Sequence, residues 1–210
     1  MKKPIIPIIR GLLFAALLIM GLSGCIKRPV TPYLPVPQDL MDILVFHPGS
    51  YWIYNYMNIG DDPDSTYVTS DPTDKTVEEG YPGYRLDMES YKITYNSAFL
   101  DSVIILHDTY ILYFQGQMFA GSEAATFQPG YYSVTGTRDT LRCVALLPSL
   151  ALNGNTFNNV YVTQYSTFTI QNLPDIYTLY FVKNTGLVQL EHTVNGKGYL
   201  WNLIRYHAVQ

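Results

Sequence analysis

Apolar and polar side chains alternate along most of the chain after residue 50, and this period of two predicts β-strands. In the segment 51–58, YWIYNYMN, the alternation places Trp52, Tyr54 and Tyr56 on one face of a strand. Large side chains also occupy the opposite face, so we expect both faces to be at least partly covered. Further strands are predicted at 84–95, 102–106, 109–115, 131–135, 140–147 and 156–170.

The pattern is clearest near the C-terminus, where alternating segments at 177–183, 187–194 and 199–206 are separated by short turns. The first turn, 184–186, reads Asn-Thr-Gly, and the second, 195–198, contains an Asn-Gly pair. An Asn-Gly pair between alternating segments is a strong hairpin signal because both residues tolerate a positive φ. The sequence therefore predicts a three-stranded antiparallel meander at this end.

Helical periodicity is nearly absent from the chain. One short helix is predicted at 38–46, QDLMDILVF, because Pro37 precedes it and proline favours a first helical turn. The segment 60–83 has seven acidic residues and one lysine among many turn residues, which predicts exposed hairpin turns around one short strand. About ten strands and at most one or two short helices indicate a mostly all-β fold. We expect a strongly curved antiparallel sheet, as a half-barrel, a barrel or a sandwich.

The N-terminus has the layout of an export signal. Lys2, Lys3 and Arg10 precede an apolar run at 11–22. This run is shorter than the about 20 residues that a membrane-spanning helix needs. The following Ser23, Gly24 and Cys25 complete a segment that resembles the lipobox of bacterial lipoproteins. This resemblance implies cleavage between Gly24 and Cys25 and a diacylglyceryl group on the Cys25 sulfur.

These features predict three parts: a signal peptide at 1–24, a lipidated Cys25 with a proline-rich tether at 25–37, and a single β-rich domain at 38–210. The lipid would anchor the protein in a membrane, since two or more acyl chains bind almost permanently. Ile26 stands where an Asp would be an inner-membrane retention signal, which favours the outer membrane. The basic segment after Cys25 lacks the acidic cluster of surface-exposed lipoproteins, so the periplasmic face is favoured over the cell surface.

Charge and cysteine content narrow the classes of partner. The signal holds three of the 13 basic residues and no acidic one, so ten basic and 17 acidic residues remain, a formal charge of −7. This balance argues against nucleic acid as a partner.

Cys143 is the second of two cysteines, and with Cys25 lipidated it has no disulfide partner. Its apolar neighbours predict a buried thiol.

Motifs of common enzymes and of metal sites are absent from the sequence, and no catalytic residue, cofactor or metal ligand is nominated. The four histidines are scattered, and His192, beside Glu191, is interpreted as a surface residue. Asp61, Asp62 and Asp64 offer oxygen ligands to calcium, but they lack the order of an EF-hand loop. A solvated acidic turn is the favoured interpretation, with calcium binding left open.

Aromatic side chains are the remaining candidates for function. All nineteen tyrosines follow the signal, and each combines apolar area with a hydrogen-bonding tip, which suits sugars, lipids or protein partners. Most are expected to pack the sheet. The candidates for a ligand-facing concavity are Trp52, Tyr54, Tyr56, Tyr161, Tyr165 and Trp201.

Four segments also resemble a group of uncharacterised Gram-negative envelope lipoproteins: FHPGSYWIYNY at 46–56, GNTFNNVYVT at 154–163, YFVKNTGLVQLE at 180–191 and WNLIRY at 201–206. Thr185 precedes Gly186 where valine is commoner in that group. The pattern is similar, too, to the half-barrel lipoprotein carriers, in which a curved antiparallel sheet wraps an apolar concavity. The matching residues are structural, so the resemblance implies a fold more than a function.

Three hypotheses follow for function. The favoured one is a non-catalytic binding module for an apolar ligand or an envelope partner. A continuous apolar cavity of a few hundred cubic ångströms would support it, and a fully packed interior would count against it. The alternative is a structural or accessory subunit of an envelope complex, which predicts an exposed aromatic patch larger than monomers usually have. An enzyme of unfamiliar type is the third, and it requires two titratable groups within hydrogen-bond reach in one cleft.

Overall fold

The computed structural model describes residues 32–57, 63–81, 84–97, 100–107, 109–114, 117–122, 126–127, 141–168 and 174–210. In this part, strands dominate and one short helix is present, which confirms the predicted all-β class. No helix among these residues has the length and apolar character needed to cross a membrane. The elements are β1 (Tyr33–Leu34), α1 (Gln38–Leu44), β2 (Tyr51–Tyr56), β3 (Asp64–Val68), β4 (Thr73–Tyr81), β5 (Tyr84–Asn96), β6 (Leu100–Leu106), β7 (Thr109–Phe114), β8 (Gln117–Ser122), β9 (Arg142–Leu152), β10 (Asn155–Phe168), β11 (Pro174–Val182), β12 (Gly186–Val194) and β13 (Lys197–His207).

The strands form one curved sheet in the order β8-β7-β6-β5-β3-β2-β13-β12-β11-β10-β9, with β1 and β4 also paired to β5. All these pairings are antiparallel except that of β1 with β5. The two edge strands approach each other at one point, where the Leu141 N–H, just before β9, donates to the Ala120 carbonyl of β8 over 2.7 Å. The sheet is therefore a nearly closed barrel, one of the forms that the sequence left open.

The C-terminal meander is confirmed, with β11, β12 and β13 joined as predicted. Asn195 and Gly196 both have positive φ, 52° and 74°, as a type I′ hairpin turn requires. Asn184 also lies in the left-handed region, with φ of 60°. The local turn chemistry thus acts as the sequence indicates.

Two features of the strand pattern differ from the prediction. The segment 60–83 contains two strands, β3 and β4, rather than one. Strand β8 was not predicted, because the short run QMFAGS lacks a clear alternation. The predicted strand at 131–135 lies outside the described residues.

Helix α1 is confirmed and packs its apolar face into one end of the barrel. Leu40, Ile43 and Leu44 are buried on this face. Phe46, just after the helix, contacts the Trp52 ring edge to face, with ring centroids 4.8 Å apart and planes at 74°. The helix is only seven residues long and would be unstable alone, so its stability comes from this burial.

Polar groups buried beneath α1 find partners in the turn between β11 and β12. The Trp52 indole N–H donates to the Thr185 carbonyl over 2.5 Å, and the Tyr54 hydroxyl donates to the Leu187 carbonyl over 2.7 Å. The Asn184 N–H donates to the Asp42 carbonyl of α1 over 2.7 Å. The turn is therefore held from one side by the helix and from the other by β2.

Residues 33–37, in the predicted tether, contact the wall of the barrel. Tyr33 and Leu34 form β1 beside β5, and the Val36 N–H donates to the Glu89 carboxylate over 2.7 Å. The His107 ring nitrogen Nδ1 lies 2.8 Å from the Pro35 carbonyl, to which it can donate. These contacts fix where the chain enters the compact unit of residues 33–210.

Replacing Gly186 by alanine is expected to destabilise the fold in two ways. Its φ of +85° is unfavourable for residues with a Cβ, at about 1–2 kcal/mol. A Cβ would also lie 3.2 Å from the Phe46 ring, an overpacked contact that adds about 1 kcal/mol or more. Urea denaturation of the Gly186→Ala variant measures the total loss.

Gly154→Ala is the matched control, because Gly154 has a φ of +84° and no atom lies within 4 Å of the place that an alanine methyl would occupy. Its loss reports the backbone cost alone. Equal losses of unfolding free energy in the two variants would show that contact with Phe46 adds no cost at position 186.

Candidate functional site

Four ring side chains lie side by side across four neighbouring strands and are called here the aromatic row. Tyr165 of β10 lies opposite Tyr177 of β11, Tyr177 lies opposite His192 of β12, and His192 lies opposite Tyr199 of β13. Directly opposite residues in an antiparallel sheet project from the same face, so the four rings form one row. Successive ring centroids are 6.4, 3.9 and 5.7 Å apart.

The aromatic row lies on the inner face of the barrel, at the end of the core away from α1. The next row of opposite residues toward the helix consists of Leu179, Leu190, Trp201 and Tyr56, of which Leu179 and Leu190 are almost fully buried. Tyr56 stacks on Trp201 with centroids 4.6 Å apart. Its ring is also parallel to that of Tyr199, at an interplanar angle of 7° and a centroid distance of 6.4 Å.

Burial decreases along the aromatic row. Phe119 of β8 packs edge-on against Tyr165 and Tyr177, with centroids 4.6 and 4.9 Å away, and both tyrosines are buried. His192 and Tyr199 are only partly buried, as is the neighbouring Tyr56. We call these three partly exposed rings the platform.

A carboxylate lies beside the platform. Asp175 precedes Tyr177 by two residues on the same face of β11, and its Oδ1 is 2.7 Å from the His192 Nε2. Only 13% of the Asp175 side chain and 15% of the His192 side chain are exposed. When the imidazole is neutral, this contact places the proton on Nε2 and leaves Nδ1 as a hydrogen-bond acceptor.

The same carboxylate acts on the neighbouring tyrosine. Burial, the negative charge of Asp175 and charge repulsion from the ionisable Tyr165 hydroxyl raise the pKa of Tyr177 to about 12. Its hydroxyl therefore stays protonated at physiological pH. Among the described residues, no group of three His, Cys, Asp or Glu side chains could hold a metal ion.

The interior cavity beneath α1 is small and apolar. It measures about 30 Å³, enough for one or two water molecules, whereas ligand sites usually span several hundred cubic ångströms. Side chains from the helix and from both halves of the sheet surround it, including Ile43, Trp52, Tyr54, Leu112 and Phe181. This cavity is far smaller than the one that the favoured hypothesis expected, so it gives no support to an apolar ligand held inside the barrel.

The predicted ligand-facing aromatics fall into three places. Tyr56, Tyr165 and Trp201 lie in or beside the aromatic row. Trp52 and Tyr54 are buried near α1, where their polar atoms bond to backbone carbonyls. Tyr161 lies opposite Phe181 and packs against Phe127, with centroids 4.7 Å apart. Gly24 and Cys25 lie outside the described residues.

Sequence reasoning missed Asp175, Tyr177, His192 and Tyr199. His192, interpreted as a surface residue, is largely covered: 15% of its side chain is exposed, and its ring stacks on Tyr177 at 10°. The Asn195-Gly196 turn alone predicts that His192 lies opposite Tyr199, so this half of the row was open to prediction. The pairing with Tyr177 depends on a bulge between Tyr180 and Phe181, which no sequence signal marks.

Cys143 is buried, as its apolar neighbours predict. Burial raises the pKa of its thiol, and the thiol lies 3.3 Å from the Ala145 carbonyl. A protonated, buried thiol is a poor nucleophile, so Cys143 adds no chemistry to the site.

No protein-family model and no curated protein matches this chain. Among solved structures, it is similar to a protein from Parabacteroides distasonis ATCC 8503 that is provisionally described as a lipoprotein. The similarity covers 79% of this chain and 100% of the other, with 11% identity and a TM-score of 0.41. At that TM-score the similarity assigns neither a fold nor a function to this chain.

The raised pKa of Tyr177 predicts a loss of stability in alkali. Because folding favours the neutral phenol, its contribution is complete below pH 10 and is lost as the pH rises toward the folded-state pKa of about 12. Removing the hydroxyl in Tyr177→Phe should make the fall in unfolding free energy across this interval less steep. Urea denaturation at several pH values measures the slope, and an unchanged slope would place the Tyr177 hydroxyl in water.

Proposed function

We propose that this protein is a lipid-anchored lipoprotein of the Gram-negative cell envelope. In this proposal residues 1–24 are removed, Cys25 carries the lipid, and the chain is held at the periplasmic face of the outer membrane. The support is the order of basic residues, a short apolar run and the Leu-Ser-Gly-Cys segment. Few residues separate Cys25 from β1, so the barrel would stay close to the bilayer.

We propose further that the barrel is a non-catalytic binding module whose binding surface is the platform. The observation that carries this proposal is the burial gradient along the aromatic row, whose rings end partly exposed beside the Asp175 and His192 pair. Partly exposed tyrosines with fixed ring positions bind ligands at a low entropy cost. The platform therefore offers both apolar area and hydrogen-bonding groups in one place.

The small cavity beneath α1 limits what this module can bind. A cavity of about 30 Å³ holds no acyl chain, so the platform rather than the interior is the site in this proposal. Asp175 and His192 are two titratable groups within hydrogen-bond reach, as the enzyme hypothesis requires, but among the described residues no serine, threonine or cysteine side chain bonds to the imidazole. This arrangement favours binding over nucleophilic catalysis.

An accessory subunit of an envelope complex is the second candidate, favoured by the edge strand β9. Its Val144 and Leu146 are each 46% exposed, which is high for branched apolar side chains on a strand. Edge strands can pair with a strand from another protein. This function would use the outside of the barrel and leave the platform free.

Replacing Cys25 by serine tests the anchor. We expect the wild-type protein in the membrane fraction, with an intact mass equal to residues 25–210 plus acyl chains, and Cys25→Ser without the lipid. Cys143→Ser is the matched control and should keep the lipid. A Cys25→Ser protein with an unchanged lipid mass would refute the assignment.

Native mass spectrometry of the detergent-solubilised, full-length mature protein tests the binding module. We expect mass beyond the acylated polypeptide when the protein is purified gently from its host. The adduct should be lost in Tyr199→Ala and kept in Tyr67→Ala, since Tyr67 is an exposed tyrosine of β3, away from the platform. An adduct that survives Tyr199→Ala would place the site elsewhere, and bare protein in every sample would favour the accessory subunit.

A further inference from the structure

The platform and the adjacent Asp175 carboxylate combine flat aromatic rings with two hydrogen-bond acceptors. Tyr56 and Tyr199 present parallel rings, and the Asp175 and His192 pair lies directly beside Tyr199. Among the described residues, the Asp175 Oδ1 is bonded to His192, while the Asp175 Oδ2 and the His192 Nδ1 receive no hydrogen bond. Both of these atoms are hydrogen-bond acceptors when the imidazole is neutral.

These two acceptors favour a ligand that carries hydrogen-bond donors. Only 13% and 15% of the two side chains are exposed, so water reaches Oδ2 and Nδ1 less freely than it reaches surface groups. Neither atom is fully buried, so a ligand that donates to them would replace water that they bind now. The site therefore favours a ligand with two neighbouring donors attached to a flat apolar face.

We propose that the platform binds a neutral pyranose ring of a glycan, an inference that rests on the binding function proposed above. The C–H face of a pyranose stacks on aromatic rings, and its adjacent hydroxyls are paired donors. Tyr199 and Tyr56 would hold the C–H face, while the Asp175 carboxylate and the His192 Nδ1 accept from two hydroxyls.

Other ligand classes fit these groups less well. An acyl chain supplies no donor to the two acceptors, and the cavity of about 30 Å³ beneath α1 is too small for it. An acidic ligand would meet the Asp175 carboxylate and a chain with more acidic than basic residues. A planar aromatic molecule would stack, but it would satisfy the acceptors only if it carried two adjacent donors.

Isothermal titration of the full-length mature protein in detergent micelles tests this proposal. The probes are neutral oligosaccharides of glucose, mannose, galactose, xylose and N-acetylglucosamine, each titrated to about 10 mM. We expect saturable binding of at least one probe with a Kd below about 1 mM. Trp201 fluorescence should change with it, because Trp201 stacks on Tyr56 at 4.6 Å.

Variants locate the binding and separate it from folding. Tyr199→Ala should weaken the binding about tenfold or more, and the nearly isosteric Asp175→Asn about fivefold, while Tyr67→Ala leaves it unchanged. Thermal unfolding of each variant shows whether the fold is intact, and Asp175→Asn removes a charge without removing volume. A probe that binds equally to wild type, Tyr199→Ala and Asp175→Asn would overturn the proposal.

The outcomes also separate this inference from the function on which it rests. If no oligosaccharide binds, but an adduct in the native mass spectrum depends on Tyr199, the platform binds another class of ligand and the glycan inference fails alone. If no oligosaccharide binds and no adduct depends on Tyr199, both proposals fail.

Discussion

The register between β11 and β12 determines which side chains face the interior of the barrel. Beside the turn, Val182 lies opposite Gly186, but beyond the bulge Tyr180 lies opposite Gln189, so the pairing has shifted by one residue. Since strand side chains alternate between faces, a shift of one residue reverses the orientation of everything beyond it. The bulge therefore places His192 opposite Tyr177, which makes a continuous aromatic row possible.

The turn that precedes this bulge is fixed by strands and a helix distant in sequence. Trp52 and Tyr54 of β2 donate to the carbonyls of Thr185 and Leu187, and α1 accepts from the Asn184 N–H. Loss of either donor would remove a buried hydrogen bond, which costs about 1 kcal/mol or more. Helix packing at one end of the barrel and the register that builds the aromatic row at the other thus depend on the same few hydrogen bonds.

Local signals in the sequence were enough for the strands whose turns specify them. The Asn195-Gly196 turn predicts the β12 and β13 hairpin, and with it the pairing of His192 and Tyr199. Contacts distant in sequence left no such signal: the approach of Leu141 to Ala120, the packing of Phe119 on Tyr165 and the bulge beside Tyr180. Those contacts arise from the curvature of the whole sheet, and they decide which aromatic residues meet. The sequence therefore identified aromatic residues as candidates for ligand binding, but two of these candidates, Trp52 and Tyr54, are buried in the core.

A filled interior changes where a barrel can bind. In a barrel with a large cavity, specificity comes from the volume enclosed. Here Leu179 and Leu190 are almost fully buried beneath the aromatic row, and the platform rings are partly exposed. Two of the platform rings stack on neighbouring rings: Tyr56 on Trp201 and His192 on Tyr177. They would therefore lose little conformational freedom on binding a ligand. If the proposed function holds, such a surface would select a ligand by the shape of one face and by its donors rather than by its size. A long glycan would then bind through a single ring, with the rest of the molecule left in solvent.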